Sequence, residues 1–181
     1  MPSTDSAQPL LFYRSRLWAL IWAYIALIYL TLPLMRSILR WIKQSAGVET
    51  LSWGLNGLLV LAAATLLLLA WRRGVKTTLA IALPLLFIGA LALNLPIAEE
   101  RVHFLQYGLL GVLVVATNRH PARLQLVAMV LCVVTVGCVD ELIQWWLPNR
   151  VGDWRDVGMN ALAGTLGVAM GVSLFRQDGQ T

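Results

Sequence analysis

Charged side chains are scarce in this chain. Asp, Glu, Lys and Arg make up 13% of its 181 residues, whereas an ordinary soluble domain carries about a quarter. Hydrophobic residues make up 59%, more than a small globule can bury, and the mean hydropathy is +0.72. The composition therefore excludes soluble globular, disordered, collagenous and disulfide-scaffold proteins. It indicates a small all-α membrane protein, a helical bundle that crosses the bilayer several times.

Cysteine is also scarce, and its placement excludes a redox pair. Cys132 and Cys138 lie six residues apart in one apolar run, so they face different sides of a helix and cannot form a disulfide within it. The net charge of +5 favours nucleic-acid binding only when basic residues form a face with interleaved aromatics, and the sequence has no such face. We expect neither a cofactor nor a nucleic-acid partner.

Six apolar runs have the character of membrane spans. They cover residues 17–34, 51–70, 77–95, 102–116, 124–147 and 156–175. Residues 35–47 differ, since they place Arg36, Arg40 and Lys43 on one helical face and apolar side chains on the other, which is typical of an interfacial helix. The predicted organisation is a polar tail (1–16), a first span with the interfacial helix (17–50), a membrane domain (51–175) and a short tail (176–181).

Residue types within the spans predict how the helices are held. Tyr24 and Tyr29 in the first span have the character of aromatic anchors at the membrane surface. Ala163, Gly167 and Gly171 recur every four residues in the sixth span. Such a stripe of small residues predicts close approach of a neighbouring helix.

Polar residues converge on one end of the bundle. If the six runs all cross the membrane, the turn before the fourth span and the turn before the sixth lie on the same side. Spacings of four place polar side chains on one stripe of each of three helices: Glu99, His103 and Tyr107; Asp140 and Gln144; Asp156 and Asn160. Because ionisable groups at membrane depth are costly, they face the bundle interior. We expect a polar, partly water-filled pocket between these helices.

Two segments carry a resemblance to the VanZ-like membrane proteins. The first is residues 99–108, EERVHFLQYG, followed by Leu110-Gly111. The second matches an acidic-Glu-x-x-Gln, Pro-x-Arg and Asp-x-x-x-Asn-x-x-x-Gly pattern at Asp140, Glu141, Gln144, Pro148, Arg150, Asp153, Asp156, Asn160 and Gly164. The signatures together cover residues 99–171. The family often has an acidic-Lys pair before the His, whereas here Glu100 follows Glu99 and Arg101 stands one place later, from where it could reach the carboxylates.

The resemblance implies a multi-pass protein of the bacterial plasma membrane, in a family named for a protein associated with resistance to the glycopeptide teicoplanin. The count of Lys and Arg favours a cytoplasmic N terminus, since that orientation places eight basic residues on the cytoplasmic side and six outside. The converging polar residues then lie at the extracytoplasmic face.

The polar residues divide into two groups of candidates. Those with acid–base chemistry are His103, Glu99, Asp140 and Glu141. Those suited to binding a substrate are Tyr107, Gln144, Arg150, Asp153, Asp156 and Asn160. A metal site built from His103 with the nearby carboxylates is the weaker alternative, because one His among carboxylates defines no cation by spacing. We therefore expect no metal.

Two function classes remain open. In the first, the pocket binds or modifies a membrane lipid or a lipid-linked envelope precursor, and His103 acts with the carboxylates as an acid–base pair. In the second, the polar network only holds the helices together, and the protein is a non-enzymatic scaffold or an envelope-stress factor. Whether the chain is an enzyme is left open. An open pocket around His103 favours the first class, and complete internal pairing favours the second.

Overall fold

The computed structural model describes residues 7–148 and 152–176, and the side chains of 13–148 and 152–176. Arg150 and most of the C-terminal tail lie outside the described residues. The described part of the chain is helical, without a strand. Its elements are α1 (Ala7–Ala46), α2 (Val48–Trp71), α3 (Val75–Leu93), a short 3₁₀ turn (Ala98–Glu100), α4 (Arg101–Ala116), α5 (Arg123–Trp146) and α6 (Trp154–Phe175).

Helix α1 is longer than the sequence indicates. The sequence predicts a polar tail over residues 1–16 and a separate interfacial helix over 35–47, but α1 is one continuous helix of 40 residues that includes Pro33. The helix ends before Gly47, whose φ of 88° lies in a region that residues with a Cβ rarely adopt. The amphipathic segment is therefore the last part of α1, and its direction is set by the helix that carries it.

Five helices are long and apolar enough to cross a membrane, namely α1, α2, α3, α5 and α6. Their outer faces expose large apolar side chains such as Leu30, Leu61, Leu83 and Leu124, which an aqueous surface would not tolerate in this number. The prediction of an all-α membrane bundle is confirmed. Cys132 and Cys138 are both free thiols.

Helix α4 is the centre of the bundle and is the exception in length. Its 16 residues extend about 24 Å at 1.5 Å per residue, less than the roughly 30 Å of the hydrocarbon core. It packs against all five long helices, and Phe104, Tyr107, Leu110 and Val115 are buried. A helix surrounded by protein does not need to match the thickness of the bilayer.

Glycines allow the backbones of α4 and α6 to come into direct contact. A Cβ at Gly167 would overlap the backbone carbonyl of Gly108, and one at Gly111 would lie 2.6 Å from the backbone nitrogen of Val168. Gly171 lies against Val115 in the same way. The small residues of the sixth span therefore form the α4–α6 contact that the sequence predicts.

Two tyrosines of α1 donate hydrogen bonds to neighbouring helices inside the bundle. The sequence predicts that Tyr24 and Tyr29 anchor α1 at the membrane surface. Instead, the Tyr24 hydroxyl donates to the carbonyl of Gln106 at 3.2 Å, and the Tyr29 hydroxyl donates to the carbonyl of Val136 at 2.9 Å. These bonds attach α1 to α4 and α5, since a hydroxyl within a membrane protein has no water as a partner.

Replacing Gly167 by Ala should destabilise the protein, because the added methyl meets the rigid backbone of α4 and the helices must separate. Overpacking of this kind costs about 1–3 kcal/mol. The measurement is the thermal midpoint of the detergent-solubilised protein, read from the fraction that stays monodisperse after heating.

The matched control is Gly158→Ala in the same helix, where a Cβ meets nothing within 4 Å. This variant should unfold at the wild-type temperature or slightly above it, because Ala favours helix over Gly. Equal midpoints for the two variants would contradict a backbone contact between α4 and α6.

Candidate functional site

Four helices meet around a cavity of about 640 Å³ at one end of the bundle. One wall is the last part of α1, which contributes Arg36, Arg40 and Lys43. The opposite wall carries polar residues of the 3₁₀ turn, α4, α5 and the start of α6: Glu99, Glu100, His103, Gln106, Asp140, Gln144, Asp153 and Asp156. The two turns that the sequence places on the same side therefore meet, and a basic wall faces an acidic one.

Asp140 is held at the cavity wall by two side chains. It is fully buried, its Oδ2 accepts a hydrogen bond of 2.6 Å from the Tyr107 hydroxyl, and its Oδ1 accepts one of 3.3 Å from Gln144 Nε2. Hydrogen bonds to a carboxylate are short and strong in such surroundings. Asp140 is thus fixed in position while it still contacts the cavity.

Glu141 lies behind the cavity wall and is more completely bonded. Its Oε1 accepts from Gln144 Nε2 at 3.0 Å and from Asn160 Nδ2 at 3.5 Å, and its Oε2 accepts from the backbone nitrogen of Asp153 at 3.3 Å. These bonds join α5 to the start of α6. Asp153 is also the N-cap of α6, because its Oδ1 accepts from the Arg155 nitrogen at 2.9 Å.

His103 projects from α4 into the space between Asp140 and Asp156. Its Nε2 lies 3.8 Å from Asp156 Oδ2, its ring stacks on Tyr107 with the planes 9° apart, and its buried Nδ1 has no hydrogen-bond partner among the described residues. The side chain is 12% exposed. One ligand atom from each of His103, Asp140 and Glu141 lies within 4.8 Å of the other two, a separation that one bound cation can bridge.

Two ion pairs form the rim of the cavity. Lys43 of α1 pairs with Glu99, and Arg155 of α6 pairs with Glu100. Burial raises the pKa of Glu100 above its usual value, the Arg155 guanidinium opposes this shift, and nearby Asp156 adds to it. The second oxygen of Glu100, Oε2, is buried without a hydrogen-bond partner among the described residues, which is consistent with the dominance of burial.

Arg101 does not serve the carboxylates as the sequence suggests. Its side chain is buried and points to α2 and α3, where it donates to Ser52 Oγ at 2.8 Å, to Asn56 Oδ1 at 2.9 Å and to the Ala92 carbonyl at 2.9 Å. The reason is helical geometry, since Arg101 lies two places before His103 and so faces away from it. Arg101 holds three helices together.

The candidates from the sequence thus separate into two layers. His103, Glu99, Asp140, Gln144, Asp153 and Asp156 line the cavity, whereas Tyr107, Glu141 and Asn160 lie behind it and orient the first layer. Arg150 lies outside the described residues. Sequence reasoning missed Arg36 and Arg40 as cavity residues, although it recognised the amphipathic pattern that contains them.

The tryptophans near the site lie on its outside. Trp145 and Trp154 contact each other edge to face, with ring centroids 5.1 Å apart, and both are exposed, as is Trp146. They are not part of the cavity wall. This placement suits aromatic residues at a membrane surface and leaves the cavity to polar groups.

Replacing Glu100 by Gln should change how stability depends on pH. A carboxyl group whose pKa is raised by folding contributes its stability below the unfolded pKa and loses it as pH rises through the folded pKa. The thermal midpoint of Glu100→Gln minus that of wild type should therefore increase as pH is raised above about 4.3, the ordinary pKa of a glutamate. Glu49→Gln, an exposed carboxylate of α2, is the control. A Glu100→Gln difference that does not vary with pH would contradict the raised pKa.

One comparison with known proteins gives a match. The model of the VanZ/LLP1 family matches residues 12–176, which includes most of α1 as well as the two signature segments. No curated protein and no solved structure matches the chain. The matched range covers nearly the whole chain, the cavity and every described residue of the two signatures, and the chain therefore belongs to the VanZ/LLP1 family.

Proposed function

We propose that the cavity binds the polar headgroup of a membrane lipid or a lipid-linked envelope precursor. The observation that carries this proposal is the facing of a cationic wall and an acidic wall across about 640 Å³. A volume of this size suits a small-molecule headgroup. The apolar outer faces of α1 and α5 provide a surface along which the attached acyl or prenyl chain can remain in the bilayer.

The cationic wall is suited to a phosphate or a carboxylate. Arg36 and Arg40 lie one turn apart on α1, are exposed and line the cavity, whereas Lys43 is neutralised by Glu99. Arginine binds phosphate through two parallel hydrogen bonds. In this proposal Arg36 and Arg40 are anion ligands, the role that the sequence predicts for Arg150.

The acidic wall is suited to proton transfer at the bound headgroup. An imidazole can both accept and donate a proton, and the His103 ring lies near Asp156 and Asp140. Asp140 is oriented by Tyr107 and Gln144. In this proposal His103 is the group that gives or takes a proton, Asp140 and Asp156 orient it, and Glu141 supports the wall from behind.

A second candidate function is a scaffold whose polar network is purely structural. The hydrogen bonds of Glu141 favour it, because both oxygens accept bonds from residues at or in α6, Oε1 from Asn160 and Oε2 from the Asp153 nitrogen. The buried nitrogen of His103 without a hydrogen-bond partner favours the first candidate, since a structural network would use that group. The two candidates differ in what removal of His103 does to the abundance of the protein.

We propose further that the protein resides in the bacterial plasma membrane with its N terminus in the cytoplasm. The count of basic residues supports this orientation, which places the cavity at the extracytoplasmic surface. Lipid-linked envelope precursors are exposed on that side, and a role in teicoplanin resistance is consistent with action on them.

Replacing Arg36 and Arg40 together by Ala should reduce retention of an anionic lipid. The probe is phosphatidylglycerol, with phosphatidylcholine as the neutral comparison, and the measurement is native mass spectrometry of protein released from mixed vesicles. Each lost hydrogen bond to a charged partner should lower affinity about tenfold or more. The control replaces Arg72 and Arg73, which lie exposed at the far end of α2. Equal losses in both double variants would contradict a binding site at the cavity.

Replacing His103 by Ala should leave membrane abundance unchanged, because its Nδ1 has no hydrogen-bond partner among the described residues and its Nε2 lies 3.8 Å from Asp156, beyond hydrogen-bond distance. Replacing Glu141 by Gln should lower abundance, because the amide cannot accept all the bonds made to the carboxylate. Immunoblots of isolated membranes measure abundance, and teicoplanin susceptibility of the expressing host measures function. Loss of protein in both variants would support the scaffold instead. Normal abundance and normal function of His103→Ala would remove His103 from the site.

A further inference from the structure

The cluster of His103, Asp140 and Glu141 has the dimensions of a metal-binding site. One atom from each lies within 4.8 Å of the other two. Ligands on opposite sides of one ion, each about 2.1 Å from it, are about 4.2 Å apart. A single ion can therefore bind all three side chains after small side-chain movements.

The charge around Asp140 requires compensation. The carboxyl group is fully buried in a bundle that crosses a membrane, where an ionised group needs a partner of opposite sign. Three nearby basic side chains are engaged elsewhere, Arg155 with Glu100, Lys43 with Glu99 and Arg101 with α2 and α3, while Arg36 and Arg40 line the same cavity and are exposed. None of the described Lys or Arg side chains forms an ion pair with Asp140.

Two buried polar atoms near the carboxylates, one on His103 and one on Asn160, provide a second observation. His103 Nδ1 is buried and has no hydrogen-bond partner among the described residues, while Nε2 faces Asp156. Metal-bound histidines commonly orient their second nitrogen towards a carboxylate in this way. Asn160, fully buried beside Glu141, also has an oxygen without a partner in the described residues. A buried polar atom of this kind often marks an ion or water.

The surroundings of the cluster resemble the outer shell of a metal site. Tyr107, Gln144, Asn160 and the backbone nitrogen of Asp153 donate to the two carboxylates. Each oxygen of Asp140 accepts one hydrogen bond and can offer its second lone pair to a metal. Such donors fix the orientation of ligands before the ion binds.

We propose that His103, Asp140 and Glu141 bind one divalent transition-metal ion. An imidazole with two carboxylates suits Mn²⁺ or Zn²⁺ and is unsuited to Cu⁺, which prefers sulfur. His103 and Asp140 line the cavity, so coordination positions not filled by protein face it, as in metal sites that bind an exchangeable ligand. The sequence alone predicts no metal, because the spacing of one His among several carboxylates does not reveal which two carboxylates meet the His in the fold.

The test is the metal content of the full chain, purified from membranes in detergent without chelator and analysed by mass spectrometry of the elements. We expect about one ion of Mn or Zn per chain, as for a single preformed site. After removal of metal by EDTA, addition of MnCl₂ or ZnCl₂ should raise the thermal midpoint, because an ion that binds only the folded state stabilises it.

His103→Gln and Asp140→Asn should each lose the bound ion and the rise in midpoint. Their affinity should fall by more than the roughly 10- to 100-fold that loss of an outer-shell partner causes. His103→Gln is the decisive variant, because His103 makes no hydrogen bond on which folding depends. Glu49→Gln, an exposed carboxylate on α2, should retain the ion.

Wild-type protein without bound metal and without a response to either salt would overturn the proposal. Retention of the ion by His103→Gln would overturn it as well, since the ion would then lie elsewhere. Lipid retention measured on the same preparations distinguishes this proposal from the proposed function. A protein that binds metal without phosphatidylglycerol supports the metal site alone, and the reverse result supports the headgroup site alone.

Discussion

The backbone contact between α4 and α6 determines the spatial arrangement of the site. Glycines at Gly108, Gly111 and Gly167 let the two helices approach so closely that a single methyl group would separate them. This separation fixes His103 on one helix against Asp156 on the other. In a membrane, where lipid removes the hydrophobic drive for helix association, close packing of small residues is a main source of attraction. The same contact therefore stabilises the bundle and sets the spacing of its polar groups.

The polar groups are tolerated at this depth because protein surrounds them. Asp140 and Glu141 accept hydrogen bonds from Tyr107, Gln144, Asn160 and the Asp153 backbone, which replace the bonds to water lost on burial. Arg101 donates its hydrogen bonds to acceptors on α2 and α3, which likewise replace bonds to water. The central position of α4 makes this possible, because a helix with neighbours on every side can carry polar residues on more than one face.

Much of this arrangement was predictable from sequence, and the limits have physical causes. Alternating spans place the turn before α4 and the turn before α6 on the same side, so the meeting of His103 with Asp140 and Asp156 follows from topology and spacing. The role of Arg36 and Arg40 does not follow, because an amphipathic pattern is identical for a helix lying on a membrane and one lining a cavity. That distinction depends on the continuity of α1 through Pro33. The direction of Arg101 depends on acceptors in α2 and α3, which carry no sequence signal of their own.

The length of α1 has a mechanical consequence. At 1.5 Å per residue its 40 residues extend about 60 Å, beyond the roughly 40–45 Å of a bilayer with its headgroups. The same helix that is long enough to span the membrane thus forms one side of the cavity with its last part. Among the described residues, Tyr24 and Tyr29 bond α1 to α4 and α5 near its middle, and Lys43 pairs with Glu99 near its end. Because the span and the cavity wall belong to one helix, a change in the tilt of the span would move that wall.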